Sequence, residues 1–173
     1  MPSEIERKFL LKDKKILDSF IEKYNIKQSY LAETKNQTTR VRLRKDGSEK
    51  EDAFLTIKSK LLENGIERKE FEYEIPYSDA FEIFKMGESY IEKERYIIPY
   101  KENEDLKWEI DVFMDKNKGL IIVEIEVPTI DFDLKLPEWV GEEVTYNEKY
   151  NSNKTLSLNN VTPVNTKRKQ KPK

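Results

Sequence analysis

Glu4, Glu6 and Lys8 stand two residues apart in the segment EIERKF, alternating with Ile5, Arg7 and Phe9. A β-strand turns successive side chains to opposite faces, so in a strand these two carboxylates and one ammonium look the same way. Carboxylates held that close repel, and the repulsion is relieved by keeping a proton or by binding a cation. Glu124 and Glu126 in VEIEV repeat the arrangement. With the opposite sign, TTRVRLRK sets Arg40, Arg42 and Arg44 on one face, with Val41 and Leu43 on the other. Guanidinium forks suit phosphate oxygens, and the ammonium groups of Lys8, Lys58 and Lys93 add compact charge. Paired acids also serve glycosidases, but the surrounding Arg and Lys argue against a neutral sugar. There is no Walker-type glycine loop, so phosphate binding here has to rely on side chains.

The same inversion recurs along the chain. Lys58 is in phase with Phe54 and Thr56, and Lys93 and Arg95 are in phase with Ile91 and Ile97. Arg68, Glu70, Glu72 and Glu74 oppose Phe71, Tyr73 and Ile75, while Glu109 and Asp111 oppose Trp108, Ile110 and Val112. Two arrangements satisfy this pattern. In one, each strand points its polar face at water, as antiparallel sheets commonly do. In the other, a closed barrel turns the charged face inward and covers its apolar outside with helices or a partner. The second requires acids and bases to compensate one another, or a charged ligand with metal to complete the neutralisation. Arg44 lies where its strand ends and is expected in a solvent-facing ion pair.

Composition restricts the chemistry further. The 173 residues suit one domain, with 36% hydrophobic against 38% charged. A net charge of −2 gives no sign of a nucleic-acid protein. Cys and His are both absent, which removes disulfides, thiol and imidazole catalysis and the usual transition-metal sites. A metal would be held by oxygen, which suits Mg²⁺, Mn²⁺ or Ca²⁺. No apolar stretch of signal-peptide type or of membrane-spanning length occurs, so the expected compartment is the cytoplasm and no membrane partner is expected.

Periodicity predicts a mainly β (α+β) protein with strands over 3–11, 26–33, 38–46, 52–59, 66–75, 90–100, 105–114 and 119–128. About eight strands can close into a barrel. Helices are expected in DKKILDSFIEKY behind an Asp13 cap, in SDAFEIFKMG between Ser78 and Gly87, and around 147–158. Residues 1–161 are read as a single domain. The tail 162–173, ending NTKRKQKPK, has almost no apolar content and is read as disordered.

EIERK at 4–8 resembles the ExExK signature of the triphosphate tunnel metalloenzymes, or CYTH superfamily. The likeness gains specificity from the ordered set RVRLR at 40–44, LTIK at 55–58, RKEFEYEI at 68–75, KERY at 93–96, WEIDVF at 108–113, VEIEV at 123–127 and EKYNSNKTL at 148–156. The resemblance implies a closed eight-stranded antiparallel tunnel with a charged lumen and a few covering helices. By that analogy Lys8, Arg40, Arg42, Lys58, Lys93 and Arg95 bind phosphates, and Lys149 adds a contact from a segment resembling the family's plug helix. Arg68 is a further candidate substrate ligand, matched by type. Glu4, Glu6, Glu124 and Glu126 look like ligands of Mg²⁺ or Mn²⁺, with Asp111 a further acidic candidate. Together with Lys8, the four glutamates form the expected catalytic set. The implied activity is metal-dependent triphosphate hydrolysis, most like the small bacterial enzymes that hydrolyse inorganic triphosphate, with nucleoside triphosphates as further substrates. The alternatives are a class IV adenylate cyclase, a thiamine triphosphatase or a non-catalytic polyphosphate-binding module. Apolar outer faces leave room for a homodimer.

Overall fold

Alternating apolar and charged residues make strands wherever each face finds its own environment, and the computed structural model, which describes residues 3–150, contains nine of them. They are β1 (Ser3–Leu11), β2 (Glu22–Glu33), β3 (Gln37–Asp46), β4 (Glu51–Ser59), β5 (Glu67–Glu74), β6 (Ser89–Pro99), β7 (Lys107–Phe113), β8 (Ile121–Glu126) and β9 (Val140–Glu143). One α-helix, α1 (Tyr77–Phe84), follows β5. The strands run β5-β4-β3-β2-β6-β7-β8-β1-β9, and a further β5–β1 pairing closes the first eight into a barrel with every pairing antiparallel.

Closure is short. Among the described residues Ser3, Glu4 and Ile5 pair across the seam, with Lys69, Arg68 and Glu67. Further along β1 the same edge turns to β9 through Phe9 and Leu11. Elsewhere the register keeps phase: Arg42 lies opposite both Gln28 and Phe54, Lys58 opposite Glu70, Arg95 opposite Asp111, and Glu124 opposite both Glu109 and Lys8. Residues directly opposite in a ladder share a face, so the charged positions of the barrel strands converge on one lumen. The inward arrangement is therefore the one adopted.

The apolar faces point outward and are covered over much of the barrel, though Phe71 and Tyr73 of β5 stay exposed. Phe9, Trp108, Ile110, Val123 and Ile125 form a buried cluster against Ile16, Leu17, Phe132, Leu134 and Trp139. Trp108 meets Phe9 and Trp139 edge-on, with centroids 5.9 and 5.4 Å away. Such pairs add roughly 0.5–1.5 kcal/mol each beyond the area they bury. On the other side α1 sets Ala80 and Ile83 against Val41, Leu43 and Ala53 of β3 and β4. A third cluster lies inside one end of the barrel, where Leu10, Tyr30, Ile91, Phe113 and Ile122 pack with Leu120, Val144 and Tyr150. That apolar cluster is in phase with the charged positions and borders the charged part of the lumen.

The helical expectations are met unevenly. Asp13 caps as expected by accepting from the Lys15 amide, but only a 3₁₀ turn, Lys14–Ser19, follows. β2 begins at Glu22 because Lys23, Tyr24 and Asn25 find ladder partners in Tyr96, Arg95 and Glu94. Tertiary pairing outweighs a local helical stripe here. In the second segment Pro76, not Ser78, occupies the cap position, and its fixed φ suits a helix start. Gly87 lies past the helix end, where a Cβ would collide with Ser29 Oγ and the Tyr30 carbonyl; it permits a close approach to β2. Of the third expected helix, a 3₁₀ turn, Glu148–Tyr150, is seen. The rest of it, and the tail 162–173, lie outside the described residues. Among the described residues no helix is long and apolar enough to cross a membrane.

Candidate active site

The lumen opens into a cavity of about 800 Å³ lined from all eight barrel strands, β1 to β8. Glu4, Glu6, Lys8, Arg40, Arg42, Lys58, Arg68, Arg95, Glu124 and Glu126, all singled out in the sequence, line it together. Lysines 35, 60 and 107 join them from the flanking loops and the start of β7.

One wall is acidic. Glu6 of β1, Glu109 of β7 and Glu124 of β8 bring carboxylate oxygens within 4.8 Å of one another. β8 sits between β1 and β7, so its Glu124 faces Lys8 on one side and Glu109 on the other. Burial pushes the Glu6 and Glu124 carboxyls up, and each is raised further by the other acids, Glu4 acting on Glu6 and Glu6 acting on Glu124. Glu126, exposed at the end of the row, is pushed up to about 7 by desolvation and by Glu4 and Glu6. Three carboxylates that share a small volume and lack enough compensating charge form a hard oxygen donor set.

The facing wall is basic. Arg40 and Arg42 project from β3, Lys58 from β4 and Arg68 from β5. Glu70 answers Arg40 at 3.9 Å and Lys58 at 3.5 Å, and Glu4 reaches Lys58 at 3.2 Å across the seam. Arg42 donates from Nε to Gln28 Oε1 at 2.7 Å. Burial, with the neighbouring charges of Arg40 and Arg95, lowers its guanidinium to about 10.

Between the walls lies a buried knot. Asp111 receives Arg95 Nε and Nη2 at 2.7 and 2.8 Å and Lys93 Nζ at 2.7 Å, so both its oxygens are occupied. Burial opposes the Asp111 charge, but Arg95 and Lys93 outweigh it and hold the carboxyl well below the usual range. Burial lowers Lys93 to about 8 despite that partner. Arg95 also reaches Glu109 at 3.4 Å and Glu124 at 3.7 Å, which ties the knot to the acidic wall.

The geometry therefore gathers most of the expected set and separates some of it. Asp111 points at Lys93 and Arg95, away from the three-carboxylate cluster. Lys93 is 1% exposed and does not line the cavity. Lys149 is exposed in the turn 148–150 with Nζ over the ring of the buried Tyr150, also off the cavity lining. Lys8 reaches this turn instead, donating to the Tyr150 carbonyl at 2.9 Å. Arg44 forms the expected ion pair, two bonds of 2.9 and 2.7 Å to Asp52. Glu72 lines the cavity and receives Thr56 Oγ1, whereas Glu74 is exposed and off the lining. Sequence reasoning gave Glu109 no role; its phase with Asp111 was visible, but its approach to Glu6 and Glu124 depends on the β7–β8 register.

Comparison with known proteins agrees with this architecture. The CYTH domain matches residues 2–158. The inorganic triphosphatase of Acetivibrio thermocellus is 37% identical over 156 residues, covering 88% of this chain and 93% of that protein. The inorganic triphosphatase of Nitrosomonas europaea is 33% identical over 159 residues, 90% of this chain and 97% of that one. The crystal structure of the inorganic triphosphatase NE1496 aligns with a TM-score of 0.57 at 30% identity, over 94% of this chain and 98% of its own. Since the domain match and these relatives extend over nearly the same stretch that builds the barrel, the chain belongs to the CYTH domain family.

Proposed function

We propose that this protein is a divalent-metal-dependent triphosphatase that hydrolyses inorganic tripolyphosphate to pyrophosphate and phosphate. The observation that carries this reading is the opposition, within one cavity, of three clustered carboxylates to a wall of guanidinium and ammonium groups. Relatives named inorganic triphosphatase support the substrate.

The cavity residues divide the task by charge. Arg40, Arg42, Lys58 and Arg68, with Lys8 from the adjoining strand, hold and align the phosphate chain and spread the charge that develops in phosphoryl transfer. Glu6, Glu109 and Glu124 hold Mg²⁺ or Mn²⁺, with Glu4 and Glu126 beside them. Their fit rests on oxygens already within 4.8 Å, and on the Glu6 and Glu124 carboxyls, which burial and then neighbouring acids push up. When bound, such an ion polarises phosphate oxygens and neutralises charge. No histidine exists in the chain, so the proton of the attacking water falls to a glutamate of this set. Asp111, itself held by Lys93, holds Arg95, and Arg95 holds Glu109 and Glu124. Residues 1–161 as one tunnel domain, a cytoplasmic location and a homodimer belong to the same reading; Phe71 and Tyr73 on β5 leave apolar surface open for a second subunit.

The test is a phosphate-release panel of tripolyphosphate, pyrophosphate, ATP and thiamine triphosphate with Mg²⁺, Mn²⁺ and Ca²⁺, ATP also being assayed for cyclic AMP. Tripolyphosphate is expected to turn over fastest, and Glu6→Gln is expected to abolish release while the far-UV spectrum stays native. Undiminished release by Glu6→Gln sinks the assignment.

A further inference from the structure

The cations around the lumen are answered unequally. Arg95 meets Asp111, Lys93 meets Asp111, Lys58 meets Glu4 and Arg40 meets Glu70. Among the described residues Arg42 meets no carboxylate at ion-pairing distance, and the hydrogen bond it makes goes to a neutral amide. That amide belongs to Gln28 on β2, opposite Arg42 in the ladder and completely buried.

The orientation of Gln28 is determined by its other end. Its Nε2 donates to Tyr30 Oη at 2.9 Å, which turns Oε1 toward Arg42 Nε at 2.7 Å. Burying an amide is costly unless both ends are satisfied, and here both are. An apolar side chain of similar length fills the same space without desolvating polar atoms, so packing alone gives no reason for Gln. A carboxylate makes a stronger bond to Nε and cancels the guanidinium charge. An amide holds the fork and leaves its charge intact.

We infer that Gln28 is a positioning residue that fixes Arg42 through Nε without neutralising it, so that the terminal guanidinium nitrogens and the full charge remain available to the phosphate chain. The inference rests on the triphosphatase reading and adds to it a residue that touches no substrate. It also explains why two adjacent arginines of β3 are treated differently. Arg40, with Glu70 as a partner, exchanges a carboxylate for phosphate on binding, whereas Arg42 has no carboxylate to release.

Wild-type turnover of tripolyphosphate is measured first, because its absence removes the functional reading and this inference with it. Gln28→Glu and Gln28→Met are then compared by steady-state kinetics and thermal unfolding. In Gln28→Glu a new ion pair with Arg42 is expected to hold or raise Tm, while KM rises about tenfold and kcat changes less than about threefold. That opposition is what a purely structural role does not produce, since such a role lowers Tm and activity together. Gln28→Met is expected to raise KM about threefold through loss of orientation. It carries the test if Gln28→Glu fails to fold. In an Arg42→Lys background, which lacks the Nε donor, Gln28→Met is expected to change KM no further. Wild-type KM in the variants, or KM effects that multiply in the Arg42→Lys background, overturns the inference and leaves the triphosphatase reading standing.

Discussion

The acidic wall on β1, β7 and β8 and the basic wall on β3 share one cavity, yet burial acts on them in opposite directions. It pushes Glu6, Glu124 and Glu126 up and Arg42 down. Each wall is thus driven toward neutrality, because charges of one sign crowd together out of water. In the knot formed by Lys93, Arg95 and Asp111 the signs are mixed, and there Asp111 is held ionised. The contrast separates groups whose partners are already in the protein from groups that await them. A ligand carrying cation and polyanion together satisfies both walls at once.

The comparison breaks most visibly at Glu109. Glu109→Gln removes one of three clustered acids and a partner of Arg95, and phosphate release is expected to fall on the order of a hundredfold or more. Tm in chelator is expected to stay level or rise, since like charges are being relieved. Loss of Tm with modest loss of rate would show the acidic wall to be structural.

Arg42→Met tests the basic wall. KM for tripolyphosphate is expected to rise ten- to a hundredfold, roughly the worth of one or two charge-assisted phosphate bonds. Unfolding in chelator should shift little, because Arg42 has no carboxylate partner to strand.

The metal-free protein should show the acidic wall in its pH dependence. Glu126 has a folded pKa of about 7 against an ordinary 4.5, so between these values the native state holds more proton than the unfolded one. Stability gained from that proton is complete below about 4.5 and is lost as pH rises through 7. Glu6 and Glu124 act in the same direction. Tm measured in chelator should therefore fall from pH 5 to 7.5. Glu126→Gln is expected to flatten the slope, and millimolar Mg²⁺ to reverse it.

The smallest effect is expected at Arg44, two residues beyond Arg42 on the same strand face. Its pair with Asp52 is partly exposed, so Arg44→Met should cost about 0.5–1 kcal/mol in denaturant unfolding. Turnover should remain within about twofold of wild type, which would mark where the basic wall ends.

Much of this was legible because a strand has a period of two. Eight of the nine strands were foreseen within a few residues, and so was the charged face of each of them except β2. β9 was missed: its four residues, VGEE, carry no alternation, and it exists because β1 leaves an edge open beyond Ile5. The first helix was overestimated because Ile16, Leu17, Phe20, Ile21 and Tyr24 fit a helical stripe, while the ladder to β6 claimed the last of them. Glu109 and Gln28 went unassigned for a shared reason. Whatever their in-strand neighbours, both acquire their role from a residue on another strand reached through the register.

The amino-acid sequence by itself determined which side chains share a face, because pleating imposes alternation on any strand whatever its surroundings. It also restricted the chemistry, since a chain without Cys or His leaves metal binding and proton transfer to carboxylates. Only the tertiary structure decided that the charged faces point inward, that Glu6, Glu109 and Glu124 meet, and that Asp111 turns to Lys93 and Arg95. Those outcomes depend on barrel closure between β1 and β5 and on the stagger between strands. Both are set by contacts between residues far apart in sequence, and periodicity within one strand carries no information about them.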